Sequence, residues 1–167
     1  MLGLVPFSEE HLVGVEEMLD DPDVLRFTRI PEPVPPGFAR TWFDRYAEAR
    51  GDGSREAFAI VEDGEFLGLA LAPQIDRATR TAELGYVVTP AARGRGVATK
   101  ALRQLTDWAF GELGMLRLEL LISVENGGSK KVAERCGYLR EGVLRSAYVK
   151  PDLREDTEIW SRLATDL

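Results

Sequence analysis

The sequence is short of the residues from which catalytic centres are most often built. It holds one cysteine, Cys136, so no internal disulfide and no cysteine-cluster metal site can form. It holds one histidine, His11, in a run that reads as a surface helix, which argues against a His-based metal centre or a Ser-His-Asp triad. Both are read as structural, Cys136 as a small apolar residue near a helix end and His11 as a surface or half-buried group. No run of 18 apolar residues occurs, so no membrane-spanning helix is expected. The opening Met1-Leu-Gly-Leu-Val-Pro lacks a signal-peptide pattern, and a cytoplasmic location is the expectation that follows. Positive charge is scarce too. With 21 Lys and Arg against 28 Asp and Glu, the net charge is −7, which argues against general nucleic-acid affinity and favours the approach of cationic substrates such as amines.

What remains is an ordinary globular composition, 44% hydrophobic and 29% charged over 167 residues. That length suits one domain, residues 1–167, with a sizeable core. No internal repeat, low-complexity tail or dividing linker interrupts it. Periodicity and turn residues predict strands over 2–7, 57–62, 66–72, 81–89, 116–123, 143–149 and 157–163. Helices are predicted from Ser8 to about Leu19, over 37–50, 96–113 and 128–135, with a short helical turn after Pro22. The order β-α-α-β-β-β-α-β-α-β-β places a strand-helix-strand unit between antiparallel hairpins. An α/β domain with a mixed sheet and helices on its faces follows.

The richest stretch runs from Glu83 to Ala98, a strand that ends at Pro90 and turns through a glycine loop into an amphipathic helix. A helix N-terminus leaves its first N–H groups unpaired and carries partial positive charge, so such a junction suits an anion. Gly94 and Gly96 permit positive φ and close backbone approach, and Arg93 and Arg95 add charge. A phosphate-bearing cofactor is the natural ligand. The spacing is not that of a dinucleotide fingerprint, because Thr99 stands where a third glycine is needed, and no P-loop pattern is present. What fits is Arg-x-x-Gly-x-Ala over 93–98, directly after a strand. This resembles the pyrophosphate-binding motif of the GNAT acyl-CoA N-acetyltransferases.

A second motif lies one strand further on. Asn126-Gly-Gly-Ser129 is followed by Val-Ala-Glu-Arg-Cys-Gly-Tyr at 132–138 and Glu-Gly-Val-Leu-Arg at 141–145. Together with Glu-Leu-Gly-Tyr at 83–86 and Asp-Trp-Ala-Phe at 107–110, these are similar to the RimJ/RimL-like group, the ribosomal-protein alanine acetyltransferases. The resemblance implies the GNAT fold and acetyl-CoA as cosubstrate, with no metal. It also implies direct attack of a primary amine, such as a peptide or protein N-terminus or a small amine, on the thioester. A catalytically silent acyl-CoA-binding regulatory domain is the alternative, and a homodimer is left open.

The resemblance also implies roles. The strand before the loop would splay from its neighbour at a bulge near Tyr86 to Val88, where backbone at Val87 and Val88 would hold the pantetheine. Backbone N–H groups at Gly94, Arg95, Gly96, Val97 and Ala98 would hold the pyrophosphate, with Arg93 beside them. Asn126 and Ser129 would face the cofactor arm, and Lys130 or Lys131 would reach the 3′-phosphate. The tyrosine acid of many relatives is replaced by Ala133, which leaves Ser129 as the group that assists thiolate departure. For the base, the position that is glutamate in some relatives is Tyr148, and Glu83 is the other candidate, with a structural role for Glu83 weighed equally. Arg26, Phe27, Trp42, Tyr46 and Trp160 are the acceptor-side candidates, and Glu141 reads as structural. A site with no evident strong base suits an α-amine, of pKa about 7.7–8.0, better than a lysine near 10.4.

Overall fold

Glycines and polar turn residues end the elements where the sequence places them. Asp63 and Gly64, at φ 50 and 83, close the first hairpin, and Gly53, at φ 75, ends the long helix before it. The structure is a computed structural model that describes residues 1–166. The strands are β1 (Leu2–Pro6), β2 (Glu56–Glu62), β3 (Glu65–Asp76), β4 (Thr81–Val88), β5 (Arg117–Ser123), β6 (Leu139–Lys150) and β7 (Leu153–Leu163). The helices are α1 (Leu12–Met18), α2 (Pro22–Arg26), α3 (Phe38–Asp52), α4 (Val97–Gly111) and α5 (Gly127–Arg135). Single 3-10 turns precede α1 and α4. This is the expected mixed α/β order, with α2 as the turn after Pro22.

The seven strands form one sheet in the order β1-β2-β3-β4-β5-β7-β6. Every neighbouring pair is antiparallel except β4 and β5. The parallel pair needs a crossover, which α4 supplies. Its buried Val97, Ala101, Leu102, Leu105 and Ala109 recur at helical spacing against one face of the sheet, with Cys136 and Tyr138 at the end of α5 in the same core. A second core on the opposite face joins α1 and α3 to β2 and β3 through Val15, Met18, Phe38, Ala57 and Leu69. Residues of β4 alternate between the two, with Ala82 and Leu84 in the α4 core and Val87 in the α1–α3 core.

Two expectations need correction. His11 is buried, not at the surface, because it shares an inward helical face with Val15. Its ring lies between Phe7 and Phe66, and its Nδ1 accepts the Ser8 N–H at 3.0 Å. The register irregularity expected near Tyr86 to Val88 lies instead on β3, between Leu71 and Gln74, where two residues face one on β4. Pro73 sits in that interval and has no N–H to give to a ladder.

The feature that positions the site is the failure of β4 and β5 to stay together. They pair only as Thr81–Arg117, Ala82–Leu118 and Glu83–Glu119. Beyond that, β4 remains bonded to β3 as far as Val88, and β5 to β7 as far as Ser123. The sheet therefore opens as a V between two interior strands. At Gly68, with φ 147, β3 approaches β4 so closely that a Cβ would lie 2.1 Å from the Val87 carbonyl oxygen. Glycine there lets β4 keep to β3 while it leaves β5.

Candidate active site

The V opens toward the N-terminus of α4. Gly96, at φ 74, precedes the helix, and Gly94 has φ 72; neither has any atom within 4 Å of where a Cβ would stand. Among the described residues, no acceptor takes the backbone N–H groups of residues 94–99. They form a donor-rich, glycine-lined cradle of a kind that could hold an anionic group such as a pyrophosphate. The arginine side chains do not add free charge as expected. Arg93 pairs with Asp21 at 2.6 Å and Asp23 at 3.5 Å, and Arg95 with Glu62 at 3.1 Å. The cradle's attraction for an anion thus comes from backbone dipoles and the helix end. Lys130 is occupied by the Val124 carbonyl oxygen at 2.9 Å and by Glu158, whereas Lys131 is exposed and has no such partner among the described residues.

A cleft of about 630 Å³ passes through the V and is lined from both faces of the sheet. On the α4–α5 side, Tyr86 donates its hydroxyl proton to Ser129 Oγ at 3.1 Å. Burial raises the Tyr86 phenol to about 12, which makes it a firm donor. Asn126 caps α5, its Oδ1 accepting the Ser129 N–H at 3.2 Å, so motif spacing fixes where the serine hydroxyl sits. On the α1–α3 side stand Phe27, Trp42, Tyr46 and Glu83. The Glu83 carboxylate is nearly buried and ion-paired with Arg29. Tyr46 forms a buried wall, its phenol also raised to about 12 by burial.

Tyr148 lines the cleft, but its hydroxyl donates to the carbonyl oxygens of Arg26 and Thr28. Burial pushes its phenol up, so the hydroxyl keeps its proton and serves as a donor. Lys150 adds bonds to the carbonyl oxygens of Thr28 at 3.2 Å and Ile30 at 2.7 Å. The tip of the β6–β7 hairpin thereby fastens the segment after α2 over the cleft. Arg26 lies between the Phe27 and Tyr148 rings, bonds Glu155 at 3.0 Å and leaves Nη1 buried without a partner. The Arg26 guanidinium holds the Glu155 carboxyl below the usual carboxylate range.

With this geometry in view, comparison with known proteins is decisive. The profile of the acetyltransferase (GNAT) domain family matches residues 1–139. The chain belongs to the GNAT acetyltransferase family. It is similar, at 30% identity over 84% of the chain and 70% of the relative, to YdaF of Bacillus subtilis (strain 168), provisionally named a ribosomal N-acetyltransferase. It is 28% identical to the spermidine N(1)-acetyltransferase of Escherichia coli (strain K12) over 84% of the chain and 74% of that protein. Its fold matches the structure of RimL, a ribosomal L7/L12 α-N-protein acetyltransferase in complex with coenzyme A, with a TM-score of 0.90 at 19% identity, covering 97% of this chain and 93% of that one.

As a GNAT acetyltransferase, the chain uses acetyl-CoA as acetyl donor and an amine-bearing acceptor. Of the residues singled out from the sequence, the structure brings Phe27, Trp42, Tyr46, Glu83, Val87, Asn126, Ser129 and Tyr148 to the cleft. Val88 continues the open edge of β4 toward the cradle, and Val97 is buried beneath it. Trp160 does not reach the cleft: it is a core residue, and its indole N–H bonds Glu158 at 2.9 Å. Glu141 is tied to Arg117 and Ser161, away from the cleft. Sequence reasoning missed Tyr86 as a side chain of the site, along with Arg29, Arg45 and Arg55. The alternation of β4 was the one available signal, since it puts Tyr86 on the α5 face and Glu83 on the other. Among the described residues, no group of three or more His, Cys, Asp or Glu is placed to hold a metal, and no helix is long and apolar enough to cross a membrane.

Proposed function

We propose that the chain acetylates α-amino groups, as a member of the RimJ/RimL-like branch of the family, through direct attack of the amine on acetyl-CoA. The observation that carries this reading is the pairing of an open V with different chemistry on its two faces. The Tyr86–Ser129 hydroxyl pair lies on the α5 side, and on the opposite side the one lining carboxylate, Glu83, is already engaged by Arg29. The donor lies along β4, with its pyrophosphate on the backbone of residues 94–98 and Lys131 beside the 3′-phosphate. Ser129 faces the departing sulfur and Asn126 fixes Ser129. The amine enters past Phe27, Trp42 and Tyr46, under the roof that Arg26 and Tyr148 hold. Residues 1–167 act as one domain, a reading supported by the pairing of β7, which lies beyond the matched residues, along the whole of β5.

With the one lining carboxylate held by Arg29, the reaction draws on amine that is already neutral. At pH 7 that is on the order of a tenth of an α-amine and under a thousandth of a lysine. The test is kcat/KM from pH 6 to 10, read by thiol release, for a peptide with a free α-amine, the same peptide with only a lysine amine free, and spermidine. The α-amine is expected to win by about two to three orders of magnitude at neutral pH, with a rate that rises along its own titration. A preference for lysine or spermidine at neutral pH would refute the acceptor assignment. A pH midpoint that vanishes in Glu83→Gln would identify Glu83 as a true base.

A further inference from the structure

We infer that the acceptor carries a carboxylate near its reacting amine, and that Arg45 and Arg55 bind it. This rests on the reading that the α1–α3 side of the cleft receives the amine. The charged lining of that side is Arg29, Arg45 and Arg55 against Glu83 alone. Arg29 and Glu83 neutralise one another. Arg45, on α3, and Arg55, just before β2, are exposed, and neither forms an ion pair among the described residues. Arg55 lies 6.0 Å over the ring of Tyr46, the buried wall of the cleft, which holds the guanidinium at the mouth.

This cationic mouth runs against the composition, since the whole chain carries −7. Other cations near the cleft already have a carboxylate partner: Arg26 pairs with Glu155 and Lys150 with Glu32. The adjoining groove beside the β3 irregularity is balanced, with Arg29, Arg55 and Arg77 standing against Asp52, Asp76 and Glu83. The excess at the cleft thus rests on Arg45, which has no ion-pair partner among the described residues, and on Arg55, which stands at the border of the two openings and feels Asp52 only at longer range. Guanidinium groups take carboxylates through paired, charge-assisted hydrogen bonds. A polyamine would meet two arginines that form no ion pair among the described residues and, in Glu83, a carboxylate already held by Arg29, a like-charge arrangement that disfavours such a partner.

Calorimetric Kd and kcat/KM would be measured for the amides of Ala-Glu-Glu-Leu, Ala-Gln-Gln-Leu and Ala-Lys-Lys-Leu, and for free glutamate. The acidic peptide is expected to exceed the neutral one by roughly tenfold and the basic one by more. That advantage should shrink as salt rises toward 1 M, about 3 Å of screening length. It should be lost in R45Q/R55Q and partly kept in R45K/R55K. Glutamate equal to the acidic peptide would support the same chemistry with a small amino acid as its source, and a superior peptide would support a polypeptide source. Equal binding of all three peptides, or an acidic preference that survives in R45Q/R55Q, would overturn the inference. If no peptide is acetylated but the acidic one still binds best, the inference stands and the reading of the reaction falls.

Discussion

Ser129 and Tyr86 are weaker acids than the thiol that the proposed reaction releases. Tyr86 stands at about 12, whereas an ordinary thiol has a pKa near 8.5. Full proton transfer to a departing thiolate would be uphill by roughly 3–4 units, about 5 kcal/mol. In the proposed reaction the pair would therefore act by hydrogen bonding: Tyr86 donates to Ser129, which would free the serine proton to point at the sulfur. Ser129→Ala is expected to lower kcat on the order of ten- to a thousandfold with little change in acetyl-CoA affinity, and Tyr86→Phe to cost less. Unchanged kcat in both variants, measured under saturating substrates, would reduce the pair to a structural contact. Ser129 was legible because it lies three residues from its cap, Asn126. Tyr86 was not, because its partner lies 43 positions away and the pairing arises only when α5 packs beside β4. The base stayed ambiguous for the same reason, since only the fold brings Arg29 to Glu83.

At the scale of elements, the loop into α4 works through its backbone. The sequence shows two glycines and two arginines with equal clarity; the glycines have the positive φ expected of them, whereas the arginine side chains are paired. Arg93 ties the loop to α2 and Arg95 ties it to β2, so the arginines set the loop's place and leave its donors free. Gly96 stands at φ 74 with open space around it. Gly96→Asp would add backbone strain and a negative charge at the helix end, and is expected to abolish acetyl-CoA binding by calorimetry while the far-UV spectrum is kept. Wild-type affinity in that variant would remove the loop from the donor site. Local rules also served for α4 and the first hairpin, where periodicity and turn residues agree. They failed for Trp160, whose size and position suggested a pocket wall, because β7 inserts between β5 and β6 and turns that ring into the core.

For the whole molecule, element order was readable throughout, since every strand and helix carries its own pattern. The extent of the V was not. It depends on how far β4 follows β3 and β5 follows β7, a competition among distant strands in which the irregular register at Pro73 and the close approach at Gly68 take part. The arginines at the mouth were equally hidden, being ordinary surface residues until α3 and the start of β2 meet beside β4.

Interior strands of a sheet are normally the last places where deuterium enters a protein, because both edges of each are bonded. Here two interior strands are joined by three residue pairs and then part. The amides of residues 84–88 and 120–123 that do not point at β3 or β7 should therefore exchange early, though they sit near the middle of the chain's only described sheet. Acetyl-CoA would close that seam as an inserted strand closes a torn ladder. Hydrogen-exchange mass spectrometry is expected to show its largest protection there, ahead of the edge strands β1 and β6. Protection confined to residues 94–99, with the seam unchanged, would mean that the donor is gripped by its phosphates alone.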